Sequence, residues 1–156
     1  MPRLEDLTDV ARTAHLNFPA FDHDDAPCVP FDKPLSEATI ALVTTAGLHL
    51  RDDAPFSGGD ESYRVIPSTT PARDMLQSHT SIGFDRTAVM RDLNVTLPLD
   101  RFRELAERGV IGALAPNCYS FMGAQRSPRR IEQETGPEVG RLLSGEGVDA
   151  VFLTPT

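Results

Sequence analysis

Gly147-Val148-Asp149-Ala150-Val151-Phe152-Leu153-Thr154-Pro155-Thr156 is the stretch that decides the fold of this chain. Its apolar and β-branched residues stand between a glycine and a proline, a pattern typical of a strand that is buried on both faces. In open α/β sheets, ligands bind just beyond the carboxyl ends of the strands. The last residues of the chain are therefore expected at a site-forming edge of a sheet.

The rest of the chain predicts further elements of the same kind of sheet. Helix 101–108 is expected to begin at Asp100 as N-cap and to end at Gly109, and the later helix has an expected irregularity at Gly136-Pro137. In chain order, the predicted elements are a strand at 38–45, a short strand at 63–67, a helix at 101–108, a strand at 110–115, a helix at 130–144 and a strand at 148–153.

This order predicts an α/β fold with an open, mostly parallel sheet and flanking helices, Rossmann-like or flavodoxin-like. A loop-rich insert follows the first strand. Residues 1–36 are predicted to form an N-terminal arm, with one amphipathic helix that ends near Asn17 and then a segment rich in proline and phenylalanine. Residues 37–156 are predicted to form a single α/β domain.

Composition excludes several classes of function. The chain of 156 residues carries a formal net charge of -8, which argues against nucleic acid or an anionic membrane as partner because both require basic patches. Cys28 and Cys118 form neither a CxxC pair nor a disulfide framework, which fits a reducing, cytoplasmic location. No phosphate-binding loop of either common pattern is present.

Polar residues that suit chemistry cluster after the predicted strands. His49 and Arg51 follow the first strand, whereas His79, Asp85 and Arg86 lie in a loop. A histidine in such a place is often only a hydrogen-bonded structural residue, and an Asp-Arg pair is often a loop-fixing salt bridge.

Cys118 leaves two alternatives open. With His49 and His79 it offers acceptable metal ligands, although no closely spaced histidine pair supports a metal site. It could also act as a nucleophile with a histidine as base, or be a small buried apolar residue.

Several motifs, in the same order, resemble the glycine/sarcosine/betaine reductase selenoprotein B family, and within it the D-proline reductase selenoprotein subunit and its short relatives. The resemblance covers about residues 33–156. The motifs are the run 33–50, Asp60-Glu61-Ser62-Tyr63-Arg64-Val65-Ile66-Pro67, the loop 79–86, Asp92-Leu93-Asn94, Pro98-Leu99-Asp100-Arg101, Tyr119-Ser120-Phe121-Met122-Gly123 and the stretch from Gly147 to Pro155.

The resemblance implies a redox centre outside the given residues. In that family a strand ending in Leu-Thr-Pro is followed almost at once by a selenocysteine or cysteine, so selenocysteine is expected just beyond Thr156 and the chain is expected to be truncated at its C-terminus relative to the family. Cys118 stands where members often carry histidine. A pyruvoyl group that activates the substrate amine is expected on a partner subunit.

The implied reaction is reductive cleavage of a carbon–nitrogen bond in an amino acid or related amine. His49, His79 and Cys118 are the implied residues for proton transfer or orientation. Arg51, Arg64 and Arg86 would hold a carboxylate, because arginine does so bidentately. The further implied substrate contacts are Asp85, Asn94, Tyr119 and Met122.

Two other functions remain open at this point. One is a metal- or small-ligand-binding α/β protein that uses His49, His79 and Cys118. The other is a non-catalytic interaction subunit that docks through an exposed edge. A homo-oligomer is expected because the family helix expected beyond the given residues would be missing, which would leave one face of the last strand uncovered.

Overall fold

The computed structural model describes residues 3–21, 29–81 and 86–155, and contacts divide the chain into the units Met1–Phe31 and Asp32–Thr156. The first unit contains a 3-10 turn at Leu4–Asp6 and helix α1 at Asp9–Leu16. The Thr8 hydroxyl accepts a hydrogen bond from the Ala11 amide at 3.4 Å and so caps α1. None of the α1 residues is buried. The helix ends at Leu16, close to its predicted end.

The second unit contains the sheet and its flanking helices. Within its described residues the strands are β1 Thr39–Thr44, β2 Leu48–Leu50, β3 Tyr63–Pro67, β4 Met75–Gln77, β5 Ala113–Leu114, β6 Asn117–Phe121 and β7 Ala150–Thr154. The helices are α2 Arg86–Arg91, α3 Leu99–Glu107 and α4 Gly136–Gly145, with a π-helical turn at Ile131–Thr135 and 3-10 turns at Leu35–Glu37, Ala72–Asp74 and Leu93–Val95. None of the helices in the described part of the chain is long and apolar enough to cross a membrane.

Strand β1 lies in the middle of the main sheet. Ile40 pairs with both Ala150 and Leu114, so β7 and β5 lie on opposite sides of β1. β6 continues on the β5 side, where Tyr119 pairs with Val43, and all three of these ladders are parallel. β3 pairs with β6 in antiparallel orientation. The α/β class is confirmed, but the sheet is mixed, and β2 and β4 form a separate antiparallel pair.

Strand β7 differs from its prediction as a strand covered on both faces. Val151, Phe152 and Leu153 are 39%, 45% and 67% exposed. Among the described residues β7 pairs only with β1, so it forms an edge of the sheet. An apolar run is typical of a strand that neighbouring elements cover, but the run does not show whether such elements are present. One partial cover is the Phe102 ring of α3, whose centroid lies 5.1 Å from that of Phe152.

Two other predicted bounds were wrong for local reasons. α3 begins at Leu99 after Pro98, so Asp100 lies in its first turn rather than at the N-cap. The strand expected at 110–115 is reduced to Ala113–Leu114, and a further strand, β6, follows at Asn117–Phe121. Pro116 separates these two strands, because proline cannot donate a ladder hydrogen bond.

Glycine confirms two predicted features of the helices. Gly109 follows α3 with a φ of +67°, the left-handed conformation that ends helices. The predicted irregularity at Gly136-Pro137 is confirmed, because the π-helical turn meets α4 there. A Cβ at Gly136 would stand 2.5 Å from the Ile131 carbonyl oxygen, so only glycine fits.

The buried side chains of the described residues cover both faces of the sheet. Leu42 and Cys118 point to the face that carries α3 and the β2–β4 pair, where they pack with Leu48, Ile66 and Leu97. On the opposite face, the π-helical turn and α4 pack against a second set, which consists of Ala41, Val43, Tyr119 and Phe121 with Val139 and Leu143. Alternation along β1 and β6 therefore decides which layer each side chain joins.

Candidate functional site

The carboxyl ends of β1 and β7 are tied together by threonine side chains. The Thr44 and Thr154 hydroxyls both donate to the Thr96 carbonyl oxygen, at 2.9 and 2.6 Å. The Thr45 amide donates to the Thr154 carbonyl at 3.1 Å. The position at which the family motif Leu-Thr-Pro leaves the sheet is thus fixed by two strands and the Thr96 loop.

Gly47 joins this edge to the β2–β4 pair. Its φ is +63°, and its amide donates to the Phe121 carbonyl at 2.9 Å. Its own carbonyl accepts from the Ser78 amide at 3.0 Å. A Cβ at this position would lie 3.1 Å from the His79 amide nitrogen. The backbone of His79 therefore packs directly against the turn after β1.

His49 and His79, two candidate site residues from the sequence, are both buried. The His49 Nδ1 lies 2.7 Å from the Leu50 carbonyl oxygen, and a carbonyl only accepts, so Nδ1 carries the proton and Nε2 is an acceptor in the neutral ring. The His79 Nδ1 accepts from the Ser81 amide at 3.2 Å, which puts the proton of a neutral ring on Nε2. The two rings therefore hold opposite tautomers.

Phe56 links His49 to Arg64, although its sequence context indicates only a loop. The Phe56 ring meets the His49 ring edge-on at 6.5 Å between centroids, and the Arg64 guanidinium carbon lies 4.3 Å from the Phe56 centroid. The Phe56 amide donates to the Ser78 hydroxyl at 2.9 Å. We call His49, Phe56, Arg64, Ser78 and His79 the histidine cluster. A phenylalanine within a loop rich in proline and glycine was the sequence signal that could have pointed to this cluster, because a large apolar side chain in a polar loop is often buried.

The Arg64 side chain is held by protein acceptors. It donates to the carbonyl oxygens of Ala54 and Tyr63 and to the Ser62 hydroxyl at 2.9, 3.0 and 2.7 Å. It also pairs with the Asp60 carboxylate at 3.4 Å. Burial raises the pKa of Asp60, but hydrogen bonds from Ser62 and the charge of Arg64 outweigh it and hold that pKa below its ordinary value. This arrangement fixes the loop that carries Phe56.

Cys118 lies in the apolar core beneath the β2–β4 pair, packed with Leu48 and Met75. Burial raises the pKa of its thiol to about 12, so the thiolate that a nucleophile or a metal ligand needs is scarce at neutral pH. Within residues 3–21, 29–81 and 86–155, no three histidine, cysteine or acidic side chains come together as metal ligands. His49, His79 and Cys118 all belong to that part, so the metal-site hypothesis gains no support.

Two other predicted substrate contacts have structural partners. The Asn94 side-chain amide donates to the carboxylates of Asp92 and Asp100, and its oxygen accepts from the Asp100 amide at 3.0 Å, which secures the start of α3. The Tyr119 hydroxyl donates to the Glu146 carboxylate at 3.0 Å, on the face opposite Cys118. Burial and the Glu146 charge raise the pKa of Tyr119.

The remaining predicted contacts are spread over the molecule. The Arg51 guanidinium donates to the Arg73 carbonyl at 3.4 Å, and the Arg86 guanidinium donates to the His79 carbonyl. Asp85 lies outside the described residues. Met122 lines an apolar cavity of about 520 Å³ at the carboxyl ends of β1 and β6, on the face that carries α4. Ala124, with a φ of 54°, lines the same cavity.

Comparison with known proteins identifies relatives over nearly the whole chain. A family model described as glycine/sarcosine/betaine reductase selenoprotein B matches residues 4–156. The chain is 46% identical over 126 residues to the D-proline reductase subunit gamma of Acetoanaerobium sticklandii, which covers 80% of this chain and 51% of that protein. No solved structure gives a significant match.

Two further relatives carry related names. The chain is 34% identical to the sarcosine reductase complex component B subunit beta of Peptoclostridium acidaminophilum, over 88% of this chain and 32% of that protein. It is 32% identical to the glycine reductase complex component B subunit gamma of Carboxydothermus hydrogenoformans, over 92% of this chain and 33% of that protein. The chain thus spans about half of the first relative's length and about a third of the other two.

Proposed function

Since the chain belongs to the glycine/sarcosine/betaine reductase selenoprotein B family, we propose that it forms part of a redox enzyme that cleaves a carbon–nitrogen bond of an amino acid or related amine. The observation that carries this proposal is the match of the family model to residues 4–156. The names of the relatives also support a multi-subunit complex, so a partner subunit is part of the proposal.

The proposal places two chemical groups outside the given residues. A selenolate or thiolate expected beyond Thr154-Pro155 would supply the nucleophile, and a pyruvoyl group on a partner subunit would activate the amine. The described residues fit a centre at this edge in one respect. Thr44 and Thr154 fix the end of β7 to the Thr96 carbonyl, so a residue that follows Pro155 would start from a defined position.

His49 and His79 are the residues of this chain that we assign to proton handling. A neutral His49 can accept a proton at Nε2, whereas a neutral His79 can donate one from Nε2. The two residues are only 4% and 1% exposed, which shields both from bulk water. Opposite tautomers on neighbouring elements suit a reaction in which one group takes a proton and another returns it.

Arg64 acts in this proposal as a positioning residue. Its donors hold the loop 54–62, and its guanidinium stacks on Phe56, which in turn contacts His49. Arg51 and Arg86, which have more exposed side chains, are the better candidates to bind a substrate carboxylate.

The proposal is tested with the native protein, expressed in its own host with selenium and purified with its partner subunits. We expect selenium in the intact protein and cleavage of at least one of D-proline, glycine, sarcosine and betaine with a dithiol as reductant. His49→Gln and His79→Gln should each lower the turnover number by about 10²-fold or more, because general acid–base groups contribute that much.

The matched control is His15→Gln, which changes an exposed histidine of α1 and should leave turnover unchanged. A selenium-containing complex that cleaves none of the four amines would contradict the reductase proposal. In that case the alternative of a non-catalytic interaction subunit would gain support.

A further inference from the structure

We propose that a second cavity, formed by β4 and α2, binds a small organic anion that has a carboxylate or phosphate group on an apolar body. The cavity has a volume of about 530 Å³ and is lined by Leu48 of β2, by residues 72, 73 and 75–77, by Arg86 and residues 89–91 of α2, and by Leu93. We call it the basic cavity. The proposal goes beyond the reductase function. It shares Arg86 with the candidate substrate contacts, but its test measures anion binding with variants of Arg73 and Arg91 rather than turnover.

Three arginines give the basic cavity its charge. Arg73, Arg86 and Arg91 line it, and no described residue in its lining carries a carboxylate. This is opposite to the chain as a whole, whose formal net charge is -8. A guanidinium binds carboxylates and phosphates through paired hydrogen bonds, so three of them around one space favour an anionic ligand.

The three arginines come from different parts of the cavity wall. Arg73 belongs to the 3-10 turn Ala72–Asp74 just before β4, whereas Arg86 and Arg91 are the first and last residues of α2. The Arg73 carbonyl accepts from the Arg51 guanidinium, and the Arg86 guanidinium donates to the His79 carbonyl. These bonds connect both walls to the β2–β4 layer, so a ligand between them would meet positive charge from two sides.

Two described acidic residues near these arginines in sequence, Asp74 and Asp92, do not line the cavity. Asp92 follows Arg91, but its carboxylate accepts from the Asn94 amide and side chain at 3.0 and 2.8 Å. Asp74 follows Arg73 and is exposed. The positive charge of the lining is therefore not cancelled by either of these two neighbours.

The inner wall of the basic cavity is apolar. Leu48, Met75 and Val89 line it and are 0%, 8% and 7% exposed. A volume of about 530 Å³ lies within the range of small-molecule sites, which combine apolar walls with a few polar groups. An apolar inner wall with a charged opening suits a ligand whose anionic group stays near solvent and whose body enters the protein.

The binding test compares three probes that share a phenyl ring by amide chemical shifts and calorimetry at low salt. Benzoate and phenyl phosphate carry the anionic group, and benzamide is the neutral control. We expect saturable binding of at least one anion, shifts confined to residues 48, 72–77 and 86–93, and at least about tenfold weaker binding of benzamide. The tighter of the two anions shows whether the natural source is a carboxylate or a phosphate.

Variants of the chain test the same proposal independently. Arg73→Met and Arg91→Met should each weaken the bound anion about tenfold, because each removes a charged hydrogen-bond donor. The control is Arg108→Met, which removes an exposed arginine beyond the end of α3 and should not change affinity. Equal losses in all three variants, equal binding of benzamide, or no saturable binding of either anion would overturn the proposal. If a variant fails to fold, the three-probe comparison on the unmodified chain still decides.

Discussion

Cys118 and the two histidines show how the surroundings of a side chain decide its chemistry. All three residues can act as acid, base or ligand, and their positions in the sequence offer no reason to separate them. In the fold, the Cys118 thiol packs among Leu42, Leu48 and Ile66, whereas the ring Nδ1 atoms of His49 and His79 have backbone partners. The two histidine rings are therefore held by polar contacts, whereas the Cys118 thiol contributes apolar packing.

The first prediction concerns the pH dependence that Cys118 adds to stability. Its pKa is about 12 in the fold and 9.0 in an ordinary thiol, so the unfolded chain releases the proton first. The contribution of Cys118 to the free energy of unfolding is complete below about pH 9 and is lost as the pH rises toward 12. We expect Cys118→Ala, in a Cys28→Ser background, to show a smaller fall in the free energy of unfolding across that range in urea titrations.

The same background chain gives a direct check of the Cys118 thiol. Alkylation by iodoacetamide at neutral pH should be far slower for the folded chain than for the chain in urea. Equal rates in the two states would contradict the burial of Cys118.

The second prediction concerns Gly47. An alanine there must adopt a φ near +63° and must also place its Cβ 3.1 Å from the His79 amide nitrogen. We expect Gly47→Ala to lower the free energy of unfolding by more than about 1–2 kcal/mol, the usual cost of the left-handed conformation. Urea denaturation measures the loss.

Gly109→Ala is the matched control for Gly47→Ala. Its φ is +67°, but a Cβ added at Gly109 would have no heavy atom within 4 Å, so only the conformational cost applies. Equal losses for the two variants would show that the His79 backbone does not press against Gly47.

At the scale of elements, β7 is the strand whose neighbours matter most. Its parallel ladder with β1 runs from Ile40–Ala150 to Thr44–Thr154, and the Thr154 hydroxyl adds a bond to the Thr96 carbonyl. Since β7 forms a sheet edge among the described residues, its ladder is supported from one side. The side-chain hydrogen bonds at the carboxyl end of β7 are therefore expected to help hold this edge in place.

The third prediction is that Thr154→Val loosens the end of β7. It removes the hydrogen bond to Thr96 with little change in shape, and we expect a loss of about 1 kcal/mol in the free energy of unfolding. Amide hydrogen exchange should show faster exchange at the Thr45 amide, which donates to the Thr154 carbonyl. Thr154→Ser keeps the hydroxyl and is the control. If both variants exchange alike, the bond to Thr96 has no stabilising role.

At the scale of the whole molecule, the core belongs to one of the two units. Among the described residues, every member of the buried clusters lies at or beyond Ala38, within the unit Asp32–Thr156. Lys33 adds an ion pair of 2.7 Å to Asp149, which joins the segment before β1 to the segment before β7. This unit has the contacts that an independent fold needs.

The fourth prediction is that residues 32–156 fold without residues 1–31. The fragment should unfold cooperatively in urea, with a free energy of unfolding within about 1 kcal/mol of that of the full chain, because the described part of the removed segment contributes none of the clustered side chains. Matched urea titrations followed by circular dichroism measure this. A fragment that shows no cooperative transition would contradict the division.

The sequence predicted features that depend on local chemistry. Strand β1 followed from an uncharged run, the end of α3 from Gly109, and the family from motifs quoted by residue. Each of these needs only neighbouring residues, because backbone preference and side-chain type act over a few positions. His49 and His79 were singled out as candidate site residues, and their roles stay predictions.

Only the tertiary structure decided which elements meet. The sequence by itself determined that 148–153 is an apolar strand, but the edge position of β7 and the exposure of Leu153 depend on partners far away in the chain. For the same reason, Phe56 became the link between His49 and Arg64, and Cys118 and Tyr119 went to opposite faces of the sheet. Periodicity fixes the face that a residue shares with its own strand, whereas long-range packing decides what covers that face.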